Sequence, residues 1–169
     1  MTVKGHTILA SFSLITIGTY NNIPLDTFTI FYSGGIIGAL LPDIDEKQSY
    51  IGRKLKIISS IISSIFGHRT FTHYLIFPVL IFLCGFYFLE GALKTFVTGL
   101  AVGVLLHDLG DMLTKGGIVG FFWPILAKTR IALMPKPLRF YTGSLQEHIL
   151  IISLLVGNIV MGYIYFTNL

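Results

Sequence analysis

The side chains of this chain that can carry metal or acid–base chemistry are not scattered. It has five histidines and eight carboxylates. All five histidines and six of the carboxylates fall at the ends of apolar runs. His6 opens the first run, and Asp43, Asp45 and Glu46 close the second. His68 and His73 lead into the third, His107, Asp108 and Asp111 end the fourth, and Glu147 and His148 open the fifth. If each run crosses a bilayer, then start 1, end 2, start 3, end 4 and start 5 lie on the same face. Zinc and related ions favour histidine nitrogen combined with carboxylate oxygen. Convergence on one membrane surface therefore points to a divalent-metal site.

The sharpest local motif is His107-Asp108-Leu109-Gly110-Asp111. Residues i and i+4 share a helix face, so His107 and Asp111 can reach one ion from successive turns. Asp108 points about 100° away, where it can orient a ligand or accept a proton. Pro42-Asp43-Ile44-Asp45-Glu46 offers three carboxylates just past a span, with Asp43 nearest the span end, Asp45 next and Glu46 solvated. In His68-Arg69-Thr70-Phe71-Thr72-His73 the two histidines are five apart, about 140° on one helix. They can share an ion only if a helix start near Thr70 or Thr72 leaves His68 in the preceding loop. Arg69 cannot ligate a metal but presents a fork for a phosphate or carboxylate. Glu147 beside His148 reads as ligand, general base or surface charge. Taken alone, each motif has an ordinary explanation: a polar helix end, a solvated acidic loop, a capping histidine. Their convergence carries the reading. Asp26 and Glu90 fall on the opposite side as solvated loop ends.

The elements that must position these groups are membrane helices. Of the 169 residues, 53% are hydrophobic and 12% charged, with mean hydropathy +0.79. A soluble domain carries about 25% charged residues. The composition excludes an ordinary soluble domain and predicts one all-α integral membrane domain over residues 1–169: a helical bundle of about five apolar helices at 6–20, 25–42, 71–90, 93–110 and 147–167, plus an amphipathic interfacial helix. A span needs about 20 residues, which segments three and five meet and segments one and two approach. Ser33-Gly34-Gly35 permits close helix contact of the small-xxx-small kind. Residues 50–66 alternate isoleucines with Arg53, Lys54, Lys56 and serines, the pattern of a helix lying in the interface. The apolar stretch 118–126 is too short to span and is predicted to be re-entrant or interfacial, with Trp123 as anchor. Lys4 before an apolar run resembles a signal peptide, but run 7–20 lacks a small-x-small cleavage site and four spans follow, so this segment is expected to be a span. Cys84, the single cysteine, reads as a packing residue.

Eleven of the twelve basic residues lie on the histidine side and only Lys94 on the other. By the positive-inside rule that side faces the cytoplasm of a cell or inner membrane, with the N-terminus in and the C-terminus out. The same basic surface suits anionic lipid headgroups, and no nucleic-acid partner is expected.

The ordered set His6, Leu41-Pro42-Asp43-Ile44-Asp45, His68-Arg69-Thr70-Phe71-Thr72-His73 and His107-Asp108-Leu109-Gly110-Asp111 resembles the YdjM-like membrane-bound metal-dependent hydrolases of bacteria. The resemblance covers nearly the whole chain and implies a divalent-metal site and hydrolysis. More distantly, the order also looks like the zinc-dependent phospholipases C and single-strand nucleases, all-helical enzymes with clustered metals. This chain has Glu147-His148 where that group has a late HxxxE.

The expectation is therefore a membrane-embedded metallohydrolase. Two or three divalent ions, zinc foremost, are held by His6, Asp43, His68, His73, His107, Asp111 and His148. Asp45 or Asp108 takes the proton, and Arg69 holds an anionic group. Location at headgroup level makes a phosphoester or lipid-like compound the expected substrate. Neither GxxxxGK nor a serine elbow competes with this reading. Two other readings remain open: an ion or proton relay or metal-handling transporter, and a non-catalytic adaptor working through the basic amphipathic helix. A relay would spread ionisable groups through mid-span, whereas here they crowd at one end.

Overall fold

Low charge and apolar runs of this length leave the backbone no partner in lipid but itself, which demands helices. The computed structural model describes residues 1–66 and 71–168 and is mainly helical. In chain order the helices are α1 (Val3–Tyr20), α2 (Leu25–Gly38), α3 (Tyr50–Lys54), α4 (Lys56–Phe66), α5 (Ile76–Phe88), α6 (Gly91–Met112) and α7 (Leu145–Thr167). All five apolar segments are helical. Among the described residues, three stretches are long and apolar enough to cross a bilayer: Leu25–Asp45, α6 and α7. At about 1.5 Å per residue, the 18 residues of α1 approach the same thickness. Side chains such as Ile152, Ile159 and Tyr163 of α7 point outward, as they must where the surroundings are hydrocarbon.

The first helix is capped by Thr2, whose hydroxyl accepts from Gly5 N at 3.2 Å. It turns into α2 through Asn21-Asn22, with Asn22 at φ 49°. α1 packs against α7, while α2 and α5 pack on α6. Ala10, Leu14, Phe28, Phe31, Leu106 and Tyr165 fill the space between α1, α2, α6 and α7.

The α2–α6 contact is made backbone to backbone. A Cβ on Gly34 would sit 2.1 Å from the carbonyl oxygen of Phe96, and one on Gly38 2.1 Å from that of Leu100. Reciprocally, a Cβ on Gly99 would lie 2.0 Å from Phe31 O, and one on Gly103 2.0 Å from Gly35 O. The small residues anticipated on α2 thus meet a matching pair on α6, at the i, i+4 spacing that puts both on one helix face.

Several segments differ from the sequence expectation. The third segment holds a helix of only 13 residues. Phe71–His73 forms a 3-10 turn instead, with Thr72 bonded to Asp45, and Gly91 at φ 55° separates α5 from α6. The amphipathic helix is two helices, broken at Leu55 (φ −113°, ψ 51°). Ile57, Ile58, Ile61 and Ile65 of α4 are exposed, as an interfacial helix requires. Cys84 is exposed and not packed inside. The stretch 118–126 begins with a two-residue strand, β1 (Ile118–Val119), paired antiparallel with β2 (Arg130–Ile131). Ile118 and Phe121 tuck under Met112, while Phe122, Trp123, Ile125 and Leu126 stay exposed. Trp123 stacks on Tyr74 with centroids 5.8 Å apart.

Gly103→Val is expected to force α2 and α6 apart and lower stability by about 2–3 kcal/mol or more, the scale of overpacking a tight interface. Gly162→Val, where an added Cβ meets nothing within 4 Å, is expected to be near neutral. Thermal unfolding of the two detergent-purified variants distinguishes them.

Candidate metal centre

The glycine contact decides where the end of α6 lies against the end of α2. Ala39 ends α2, and its carbonyl, one of those a helix end leaves without an intrahelical donor, accepts a bond from His107 Nδ1 at 2.8 Å. A carbonyl can only accept, so the neutral His107 ring carries its proton on Nδ1. Its Nε2 lone pair therefore points the other way, toward Asp43 Oδ1 at 3.7 Å. Pro42 starts the 3-10 turn Pro42–Asp45 that swings Asp43 and Asp45 back over the helix ends.

His73 is fixed in the same manner from the opposite side. Thr72 Oγ1 donates to Asp45 Oδ2 at 3.0 Å and lies 3.2 Å from His73 Nδ1, and Asp45 Oδ2 is 3.5 Å from that nitrogen. The carboxylate and hydroxyl hold the Nδ1 proton and leave Nε2 facing Asp111 Oδ2 at 3.8 Å. A carboxylate behind a ligating imidazole is a recurrent way of orienting a metal ligand. Burial alone would push the His73 imidazolium down. The hydrogen bond to Asp45 and the charges of Asp108, Asp45 and Asp111 outweigh it, and the His73 pKa stands above its ordinary value.

His6 enters from α1. Its ring stacks flat on His107, centroids 3.7 Å apart and planes within 6°, and its Nε2 is 3.3 Å from Asp111 Oδ1. Gly110 makes room for it, because a Cβ there would lie 3.0 Å from His6 Nδ1. The amino group of Met1 also donates to Asp111.

Among the described residues, His6, His107 and Asp111 form one group able to hold a metal ion, and Asp43, His73 and His107 another. They share His107, which has only one nitrogen to give because the other is tied to Ala39. The two groups are thus one five-residue cluster. Asp111 has one oxygen beside His6 and the other beside His73.

The donor set suits a divalent cation. Nε2 of His73 and of His107, Nδ1 of His6 and both oxygens of Asp108 are buried with no hydrogen-bond partner among the described residues. Leaving polar atoms buried and unpaired is costly, and a cation between His73 and His107 would satisfy both Nε2 lone pairs. The cluster is closed except at Asp43, whose side chain is 22% exposed against 0% for His107.

Of the residues expected from sequence, the structure brings together His6, Asp43, His73, His107 and Asp111, with Asp45 and Asp108 around them. His68 and Arg69 lie outside the described residues. His148 is not brought in. It is exposed, and its Nδ1 bonds Ser144 O one turn back on its own helix at 2.8 Å. Its neighbour Glu147 takes the inward position as an anchor. It accepts from Thr2 N at 2.7 Å, Thr2 Oγ1 at 2.8 Å and Gly143 N at 2.6 Å. This ties the start of α7 to the first turn of α1, and so to His6. The spacing Ser144-x-x-Glu147, a capping-box signature, announces such a role.

A bundle of apolar helices with, at one end, a buried His/Asp cluster that could hold a metal ion defines the chain as a helical membrane protein. The model of the family described as YdjM inner membrane protein matches residues 1–168, and the chain belongs to that family. It is 37% identical over 134 residues to the uncharacterised protein YvsG of Bacillus subtilis, covering 79% of each chain. It is 37% identical over 133 residues to the inner membrane protein YdjM of Escherichia coli, covering 76% of this chain and 64% of that one. With the inner membrane protein YbcI of Escherichia coli it shares 32% identity over 147 residues, 78% of this chain and 80% of the relative. No solved structure matches. The membrane location follows from the family and the apolar helices together.

His107→Ala and Asp43→Ala are expected to lose bound zinc or manganese, and His148→Ala to retain it, by elemental analysis of detergent-purified protein. Because His73 holds its proton above the ordinary histidine pKa and must give it up to ligate, metal uptake releases a proton. Apparent metal affinity should therefore rise as pH rises through that pKa, which isothermal titration in two buffers of different ionisation heat measures directly.

Proposed function

We propose that this chain is a membrane-embedded, metal-dependent hydrolase whose buried His/Asp cluster holds zinc and acts on a phosphoester or lipid-like substrate. The observation that carries the reading is the pair of buried imidazole nitrogens, His73 Nε2 and His107 Nε2, that have no hydrogen-bond partner among the described residues and face Asp111 and Asp43. His6, Asp43, His73, His107 and Asp111 would hold the metal. Divalent zinc supplies Lewis acidity that brings the pKa of water down to about 7, making hydroxide available at neutral pH.

The chain's own groups divide the remaining work. Asp45 and Thr72 orient His73, and Ala39 O orients His107. Asp108, adjacent to His107 in sequence, has both oxygens without a hydrogen-bond partner among the described residues. Of the two carboxylates read from sequence as proton acceptors, it is the one not bonded to Thr72 and His73. Asp43, on the partly exposed edge, marks the side from which a substrate would arrive. Arg69 keeps its proposed part in holding the anionic group of the substrate. Eleven basic residues against one support a cytoplasmic mouth by the positive-inside rule, with a lipid-borne ester within reach of the headgroup layer.

Zinc-loaded protein in detergent should hydrolyse a chromogenic phosphodiester or a short-chain phosphatidic acid, and a chelator should abolish turnover. Asp108→Asn should retain metal and lose about 10²-fold or more in kcat, the scale of a general acid–base group, while Asp43→Ala loses metal and turnover together. Fully metal-loaded protein inert toward phosphomonoesters, phosphodiesters and lipid esters alike would end the hydrolase reading in favour of an ion relay.

A further inference from the structure

The segment 112–146 between α6 and α7 contains five basic residues and no Asp or Glu. Four of the five, Lys115, Arg130, Lys136 and Arg139, line one cavity of about 290 Å³. Three local devices bring them together. Lys115 N bonds Phe140 O at 2.9 Å, and Leu133 N bonds Met112 O at 3.0 Å, which folds the far half of the segment back onto the end of α6. The β1–β2 pairing sets Arg130 opposite Val119. A 3-10 turn over Lys136–Leu138, entered from Pro135 and containing Pro137, fixes the backbone that carries Lys136 and leads into Arg139.

None of the four cations has a carboxylate partner among the described residues. Arg139 Nε donates to Met134 O at 2.6 Å, and Lys115 Nζ lies 4.0 Å over the Tyr141 ring. Four like charges gathered on a tethered backbone repel one another, and an anion between them converts that repulsion into attraction. Two lysines and two arginines suit a phosphate group, the arginines as planar forks and the lysines as point charges.

The position of the cavity says which phosphate. Lys115 follows the end of α6 by three residues, so the pocket sits where a spanning helix leaves the hydrocarbon, at headgroup depth. Leu133, Leu138 and Tyr141, interleaved with the cations, are exposed. A free phosphate gives those apolar side chains nothing to do, whereas an acyl chain covers them.

We propose that this pocket is a binding site for the phosphate headgroup of an anionic membrane phospholipid. It is built separately from the His/Asp cluster and does not depend on that cluster being catalytic. The test is thermal unfolding of the full chain in non-ionic detergent, titrated with phosphatidylglycerol, with phosphatidylcholine or with inorganic phosphate. Phosphatidylglycerol should raise the melting temperature saturably, less so in high salt, and the other two should not. Arg130→Gln/Arg139→Gln should weaken phosphatidylglycerol binding at least tenfold with metal content unchanged. Two single variants of the same segment guard against a folding artefact: Lys136→Gln should weaken binding severalfold, and Lys128→Gln, outside the cavity, should not. Equal losses from Lys136→Gln and Lys128→Gln would overturn the pocket in favour of diffuse charge. Inorganic phosphate acting as strongly as the lipid would overturn the lipid assignment, and equal response to phosphatidylcholine would overturn headgroup recognition altogether.

Discussion

Four glycines that let α2 and α6 touch through their backbones set the distance on which the rest of the molecule depends. Within a bilayer, lipid tails are as apolar as leucine, so helices gain little by merely burying side chains and must associate by close packing. At Gly34, Gly38, Gly99 and Gly103 an added Cβ would strike the backbone of the facing helix. Two consequences follow at the helix ends. The carbonyl that terminates α2 comes within hydrogen-bonding reach of His107, which selects the imidazole tautomer. The 3-10 turn beginning at Pro42 then lays Asp43 in front of the nitrogen that tautomer exposes. One backbone contact in the middle of the bundle thus governs the tautomer of a side chain at its edge.

The cluster stands where buried polar groups are easiest to orient. Helix ends present carbonyls and amides that the helix does not satisfy, and this chain uses them as anchors: Ala39 O for His107, the Thr2 and Gly143 amides for Glu147. Away from these anchors, His73 Nε2 and His107 Nε2 have no hydrogen-bond partner among the described residues and face Asp111 and Asp43. Such an arrangement is poor as a self-contained polar network and could hold a cation, because these two nitrogens are aimed and unpaired. Among the described residues of the cluster, Asp43 is the one that stays partly exposed.

The bundle and the convergence of its polar ends could be read from sequence because they depend on segment order alone. Five apolar runs with titratable residues at alternating ends put those residues on one face whatever the packing details. The i, i+4 pair His107 and Asp111 was equally legible, since it needs only helical phase. What escaped was decided by contacts between segments. Gly99 and Gly103 stand four apart inside an apolar run, a pattern whose meaning appears only when α2 lies beside it. The third run looked long enough to span, yet Thr72 and His73 are drawn into a 3-10 turn by Asp45, nearly thirty residues earlier. His148 looked like a ligand because it opens the fifth run on the face where the histidines converge, but adjacent residues on a helix point about 100° apart, and Glu147 takes the inward direction to hold Thr2 and Gly143.

The bond between Glu147 and Thr2 links the two extremities of the chain in the order of its synthesis. Four ligand-bearing segments are made before residue 112, yet the turn that seats His6 is fastened only when the start of the last helix has emerged. A nascent chain halted before that point carries its histidines and carboxylates without the clasp that aligns the first of them. The turn that carries His6 is thus the last part of the cluster to be fastened.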